Sequence, residues 1–399
     1  MPAFEPFRAT RYSPAMDLAA VTAPPYDVLS DRDVEVLAAR ARHNIVRVDV
    51  PQGGDNRYDV AAASLLDWVA DGTLVTDHLP SFSIYRRRFT DATGQPRELS
   101  GVIGALEVVD EGSRGVLAHE RTTPKASTDR LELTRATEAN LSPVWCLHAY
   151  AGLSDLLAES GEPVGACTVD GVEHRVERVV DPQRIGLIRE AVGSGPALIA
   201  DGHHRYAVAR QYRDEVRAAT GRNDTQAELT LAFVGELAAD QLSVEAIHRL
   251  YTVVTAADLT RLLDRWFSYQ PTGAGLDTLR PDVLSKMDND GRLVVLRPDG
   301  WGWLLPRPGV FDGIRALDGV WLEQALAGSG AEVAYQHGLP EVVAAVRDGR
   351  ASAAVLIRPV SVAEIRRTAD HGVLMPPKST YFTPKLRTGL VLRQMSGLD

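Results

Sequence analysis

Seven consecutive residues, Ala200-Asp201-Gly202-His203-His204-Arg205-Tyr206, gather the groups that bind an anion. The apolar run before them, from Pro196 to Ala200, predicts a short strand. Ala209, Tyr212 and Val216, spaced by three and four, predict a helix after them. A helix N-terminus leaves N–H groups unpaired and carries a partial positive charge, and Gly202 lets a ligand come close to the backbone. Arg205 adds a bidentate donor and His203 and His204 add imidazoles, so phosphate is the simplest occupant. Asp201 would repel a phosphate unless a divalent cation lay between them or the carboxylate moved a proton, which points to Mg²⁺ or acid–base chemistry. Asp201 could equally be an ordinary helix cap. Zinc is disfavoured, because adjacent helical residues point about 100° apart and the pair has no His-x-x-x-His partner.

Lysine is rare. Of 43 basic residues only Lys125, Lys286, Lys378 and Lys385 are lysines, leaving 43 − 4 = 39 arginines. A compact ammonium can follow a transferring phosphoryl group, and three of the four fall in motif-like segments. These are His119-Glu120-Arg121-Thr122-Thr123-Pro124-Lys125 and Met375-Pro376-Pro377-Lys378-Ser379-Thr380-Tyr381-Phe382-Thr383-Pro384-Lys385. The familiar nucleotide loops are missing: there is no G-x-x-x-x-G-K-[ST], and Gly193-Ser194-Gly195-Pro196 lacks the third glycine of the dinucleotide fingerprint.

The elements around these segments read as mixed α/β. Ser30 with Asp33 predicts a helix start for residues 31–42, and residues 44–50 have the β-branched content of a strand. Residues 58–70 predict a helix stopped by Gly72, while 82–89 and 102–109 read as strands. A polar helix over 131–140, strands over 144–150 and 229–235, and the Ile247-His248-Arg249-Leu250 stretch fill the middle. The last part predicts a helix over 256–266, strands over 293–296 and 301–305, a helix over 317–327, and a capping box at Ser361 and Glu364 for a helix ending at Gly372. At 399 residues more than one core is expected, and the boundaries read as 1–112, 113–255 and 256–399.

A formal net charge of −10 argues against general nucleic-acid binding, since affinity for the phosphate backbone comes from clustered cations. Cys146 and Cys167 offer neither a disulfide framework nor a metal site. No apolar run is long enough for a membrane span, and residues 1–11 lack the apolar stretch of a signal peptide, so a cytoplasmic protein is expected. The oligomeric state is not legible.

Asp201-Gly202-His203-His204-Arg205 resembles the phosphate-binding loop of the ParB/sulfiredoxin superfamily, and within it the Asp-Gly-His-His-Arg loop of archaeal free-serine kinases. The whole chain resembles the domain-of-unknown-function 1015 family. Its marks are Ala23-Pro24-Pro25-Tyr26-Asp27-Val28, His119-Glu120-Arg121-Thr122, Ala200 to Tyr206, Ile247-His248-Arg249, and Met375 to Lys385. Sulfiredoxins need a cysteine where His203 stands, which disfavours peroxiredoxin repair. Partition proteins of the superfamily carry a basic DNA-reading domain that is not found in this acidic chain.

The resemblance implies a ParB/sulfiredoxin-like core with N- and C-terminal elaborations. The implied enzyme is a phosphotransferase making O-phospho-L-serine from free L-serine, with Mg²⁺ and ATP, ADP or pyrophosphate as donor. It assigns Glu120, Asp201 and His204 to catalysis, with Asp201 also as metal ligand. Gly202, His203, Arg205, Lys378, Ser379, Thr380 and Lys385 go to the donor phosphates. His119, Arg121, Thr122, Lys125, His248 and Arg249 go to the substrate, and all are expected to converge on one cleft. The alternatives are a metal-dependent phosphohydrolase using the same loop, and a non-enzymatic nucleotide- or DNA-associated module.

Overall fold

The computed structural model describes residues 1–92, 94–120, 127–149 and 151–396. The chain forms two compact units. The first holds Met1–Ser243, Ala369–Gly372 and the run from Pro384; the second holds Val244–Thr368 and Val373–Thr383.

The first unit is built on a nine-stranded mixed sheet. Its spatial order is Val116–Ala118, Ala197–Asp201, Val144–His148, Leu229–Glu236, Pro96–Glu107, Phe82–Thr90, Val172–Val179 and Glu162–Val169, with Phe4–Glu5 also paired to Pro96–Glu107. Ala197–Asp201 runs parallel to Val116–Ala118 on one side and antiparallel to Val144–His148 on the other. Buried between neighbours, it reads as the continuous apolar run that such a strand needs. Its register slips between Ile199 and Asp201, so the ladder breaks where the chain turns into Gly202. The core on this sheet joins Phe4, Phe82, Ile84, Val102, Cys146, Ile199 and Tyr206. Gly104 makes room for it, since a Cβ there would lie 2.5 Å from the Phe4 ring.

A second core in the same unit gathers Tyr12, Ile45, Val46, Leu65, Trp68, Leu133 and Leu392. Ser30 caps Asp31–Arg40 with a reciprocal box to Asp33, as the sequence predicts. Residues 44–50 depart from the strand expected of them: Val46–Asp49 is one helical turn. Asn44 explains it, for its side chain accepts from the Val46 N–H at 3.0 Å and donates to the Ala20 carbonyl at 2.7 Å. The β-branched residues there answer to burial, with Ile45, Val46 and Val48 fully enclosed.

The second unit carries a six-stranded antiparallel sheet ordered Phe267–Pro271, Gly300–Pro306, Leu293–Arg297, Ala353–Leu356, His248–Tyr251 and Val333–Gln336. One core includes Met287, Val294, Leu296, Val342 and Ala354; another includes Leu259, Phe267, Val295 and Val355. Neighbouring strand residues thus alternate between two cores, the period-two pattern of a sheet covered on both faces. Among the described residues no helix is long and apolar enough to cross a membrane.

Candidate active site

The centre of the site is the turn from the strand Ala197–Asp201 into the helix His203–Thr220. Gly202 sits at φ +86°, and a Cβ there would lie 2.9 Å from the Arg205 guanidinium carbon. Glycine is therefore required both for the left-handed turn and for the side chain folded over it. Tyr206 fixes the helix to the sheet: its hydroxyl accepts from the Val109 N–H at 2.8 Å and donates to the Glu107 carbonyl at 3.1 Å. The helix is long enough for its N-terminus to carry the full partial charge.

Asp201 is the hub. Lys385 Nζ lies 2.6 Å from its Oδ1, and Arg205 Nη2 lies 2.6 Å from its Oδ2. Burial pushes the carboxyl pKa up, but Lys385 and Arg205 pull it further down, to about 2. A carboxylate that acidic is a poor proton acceptor near neutrality and a good anchor for cations. Arg205 also donates to the Pro143 carbonyl.

Beside the hub, the buried His119 forms a hydrogen bond from Nδ1 to the Ile199 carbonyl at 2.6 Å and places Nε2 3.8 Å from Glu120 Oε2. The His119 and His203 rings lie 4.9 Å apart. Burial lowers the His119 pKa against the opposing pull of Glu120, the Ile199 carbonyl and Asp201, which keeps the imidazole neutral. Glu120 retains 14% exposure, so it can reach a ligand. His204 follows on the first turn of the helix.

Sequence reasoning missed Arg87. It is fully buried, with its guanidinium 4.4 Å from the Trp145 ring and 5.5 Å from that of Phe233. It donates to the carbonyl of Pro384, the residue before Lys385. Burial lowers its pKa to about 10, partly offset by Tyr85 and Asp201. The signal was there: Tyr85, Arg87 and Phe89 share one face of the strand Phe82–Thr90, and that face is buried.

The first unit holds His119, Glu120, Asp201, Gly202, His203, His204, Arg205 and Lys385; the contacts above join His119 to Glu120 and His203, and Asp201 to Arg205 and Lys385. His248, Arg249, Lys378, Ser379 and Thr380 belong to the second unit. There His248 Nδ1 accepts from the Ile357 N–H at 3.2 Å, and Arg249 Nη1 donates to the Lys378 carbonyl at 3.2 Å. Lys378 itself adopts φ +56°, and Ser379 Oγ donates to the Pro376 carbonyl at 2.7 Å. Arg121, Thr122 and Lys125 lie outside the described residues. Among the described residues no group of three His, Cys, Asp or Glu side chains is arranged to hold a metal ion.

This is a mixed α/β protein in which two cations meet a buried aspartate at a strand-to-helix turn. The chain belongs to the family described as "Protein of unknown function (DUF1015)", whose model matches residues 4–320. No curated protein matches it in sequence. Among solved structures it is similar to a free serine kinase in complex with AMP, at 12% identity and a TM-score of 0.38, over 73% of this chain and 92% of that one. A conserved hypothetical protein from Pyrococcus furiosus matches at 11% identity and 0.38, over 73% and 95%. C-terminally truncated SbnI from Staphylococcus aureus matches at 11% and 0.38, over 74% and 90%.

Proposed function

We propose that the chain is a kinase that phosphorylates free L-serine to O-phospho-L-serine, using a nucleotide or pyrophosphate donor. The observation that carries this reading is the turn at Gly202, where a helix N-terminus, Arg205 and Lys385 surround one point beside a glutamate. The backbone N–H groups of that turn and the His203 and His204 imidazoles would receive the donor's phosphate oxygens. Asp201 holds Arg205 and Lys385 in place for that charge.

In the reaction the serine hydroxyl oxygen bonds to the donor's terminal phosphorus while the bond from that phosphorus to the leaving phosphate oxygen breaks. Glu120 takes the hydroxyl proton, and His119, its Nδ1–H spent on the Ile199 carbonyl, is left with an acceptor Nε2 for the substrate. Catalysis here is mostly positioning and charge neutralisation. Mg²⁺ does not fit Asp201 as a ligand of the protein alone, because each carboxylate oxygen already accepts from a cation. Any divalent ion would therefore arrive on the donor's phosphates. Lys378, Ser379, Thr380, His248 and Arg249 are proposed to serve donor and substrate, and Arg121, Thr122 and Lys125 to serve substrate.

The test is incubation of the purified chain with L-serine, Mg²⁺ and ATP, ADP or pyrophosphate in turn, read by phosphorus NMR. Phosphoserine is expected with at least one donor. Its absence with every donor overturns the reading, and phosphate release from phosphoserine without an acceptor would make the protein a phosphohydrolase.

A further inference from the structure

Val28, the last residue of the motif that begins at Ala23, takes no part in the site described so far. With Leu29, Val36, Leu37 and Val169 it forms the apolar wall of a pocket of about 290 Å³ in the first unit. Asp33, Arg40, Asp170 and Arg387 supply its charges. Asp33, Val36, Leu37 and Arg40 come from one face of the helix Asp31–Arg40, at spacings of three and four. A surface helix ordinarily turns polar residues to solvent, yet Val36 on this face is 53% exposed.

Arg387 differs from the other three charged residues, which are exposed, in being 6% exposed. Its Nε donates to Thr22 Oγ1 at 2.7 Å and its Nη2 to the Thr22 carbonyl at 2.6 Å, both neutral acceptors. Nη1 has no hydrogen-bond partner and the guanidinium has no carboxylate ion pair among the described residues. Burial lowers its pKa; Cys167, Tyr85 and Asp170 oppose that shift and Arg40 adds to it. Two groups that line the pocket thus lie within electrostatic reach of the guanidinium. Arg11 makes the contrast: it is as deeply buried beside another pocket, but Asp77 meets it at 2.8 Å.

A cation taken out of water without a counter-charge is costly, and an anion arriving on it recovers part of that cost. Asp33, Arg40 and Asp170 stand in solvent, where water and salt weaken their fields, so the buried Arg387 sets the sign of ligand the pocket prefers. The wall sets the rest of that ligand. At roughly 10–15 Å³ for each water-sized group, the space takes about 20 such groups, ample for a six-carbon body. We propose that this pocket binds a small amphipathic carboxylate, its oxygens on Arg387 Nη1 and its hydrocarbon against Val28, Leu29, Val36, Leu37 and Val169. A short fatty acid and an apolar amino acid share that chemistry. The binding does not rest on the serine-kinase reading.

Ligand-observed NMR titration of the full chain tests the site. Hexanoate is expected to bind saturably, at least about tenfold more tightly than acetate, which lacks the body, or 1-hexanol, which lacks the charge. Hexylammonium, of reversed sign, should not bind. L-norleucine, the hexanoate skeleton with an α-ammonium, separates the two sources: tighter binding than hexanoate identifies an amino acid with its ammonium toward Asp170, weaker binding a fatty acid, and either keeps the site. Arg387→Gln should raise the hexanoate Kd about tenfold or more and leave that of 1-hexanol unchanged. Val36→Glu, on an exposed helix face, should weaken hexanoate binding by a similar factor, and it carries the test if circular dichroism shows Arg387→Gln unfolded. The proposal is overturned by an absence of saturable hexanoate binding, by equal affinity for hexanoate and acetate, by binding of hexylammonium, or by wild-type affinity in either folded variant.

Discussion

Two buried aspartates, one in each unit, show how differently the same group can be used. Asp318 of the second unit takes three donors from one residue: Arg358 Nη2 at 2.6 Å, Nε at 3.0 Å and the Arg358 backbone N–H at 2.8 Å. That bidentate fork balances one charge with one charge and closes the carboxylate off. Asp201 of the first unit instead divides its oxygens between Arg205 and Lys385, and Arg87 adds a third cation nearby. Asp201 thus divides its charge between two cations at a helix N-terminus. A closed pair ends at its partner, whereas the open cluster is where the proposed function would draw an anion.

The largest expected effect breaks this comparison directly. Asp201→Asn leaves two buried cations without their shared partner and should cost about 3–5 kcal/mol of stability while abolishing phosphorylation. Asp318→Asn should cost stability on the same scale yet leave turnover per folded molecule unchanged. Denaturant melts paired with activity assays separate the two. Equal loss of turnover in both variants would erase the distinction drawn here.

Glu120→Gln should lower kcat by about 10²- to 10⁴-fold with little change in donor KM. Wild-type kcat at saturating substrates would return Glu120 to a structural role beside His119.

Acid should act on both units, through different groups. Burial lowers the His248 pKa to about 4, helped by Arg249 and His337, against about 6.5 unfolded. The stability from keeping it neutral is complete above about pH 6.5 and is lost as pH falls through 4, roughly 3 kcal/mol in all. His174 of the first unit, lowered to about 3 chiefly by burial, loses its share over a window that extends further down. Asp201 contributes stability above about pH 3.9 that disappears only as pH falls through 2. Melting temperature against pH should therefore slope from 6.5 downward. His248→Gln should make that slope shallower between pH 6.5 and 4, with the remainder left to His174; an unaltered slope would place the proton elsewhere.

The smallest effect concerns Lys378. A side chain at φ +56° carries about 1–2 kcal/mol of steric cost that glycine escapes, offset by glycine's greater unfolded-state entropy. Lys378→Gly should raise stability by about 1 kcal/mol or less, measured as a small rise in melting temperature. A fall would show that the lysine side chain itself holds its loop.

Much of the site could be read along the chain because its parts are local. Asp201, Gly202 and Arg205 lie within one turn of helix, so strand periodicity, a left-handed glycine and a helix start specify their arrangement without distant help. The Ser30 cap and the strand Phe82–Thr90 were legible for the same reason, since hydrogen bonds over three residues and side-chain alternation are properties of the segment. Residues 44–50 were misread because their β-branched composition reports burial, and burial has no single secondary structure. Lys385 could be singled out only as a rare residue in a motif. Its ion pair with Asp201 spans 184 residues.

The alternation of Tyr85, Arg87 and Phe89 marks the face on which Arg87 lies, but its partners belong to the folded chain. No local pattern says that this arginine lies between Trp145 and Phe233, or that a helical turn at Val46–Asp49 leaves a carboxylate oxygen with no hydrogen-bond partner among the described residues. Residue order specifies where the chain turns, as at Gly202, and where it carries charge. Which charges pair across long separations, and which buried atoms are left waiting, is settled only on folding, because low-dielectric burial and side-chain contact arise when distant segments pack.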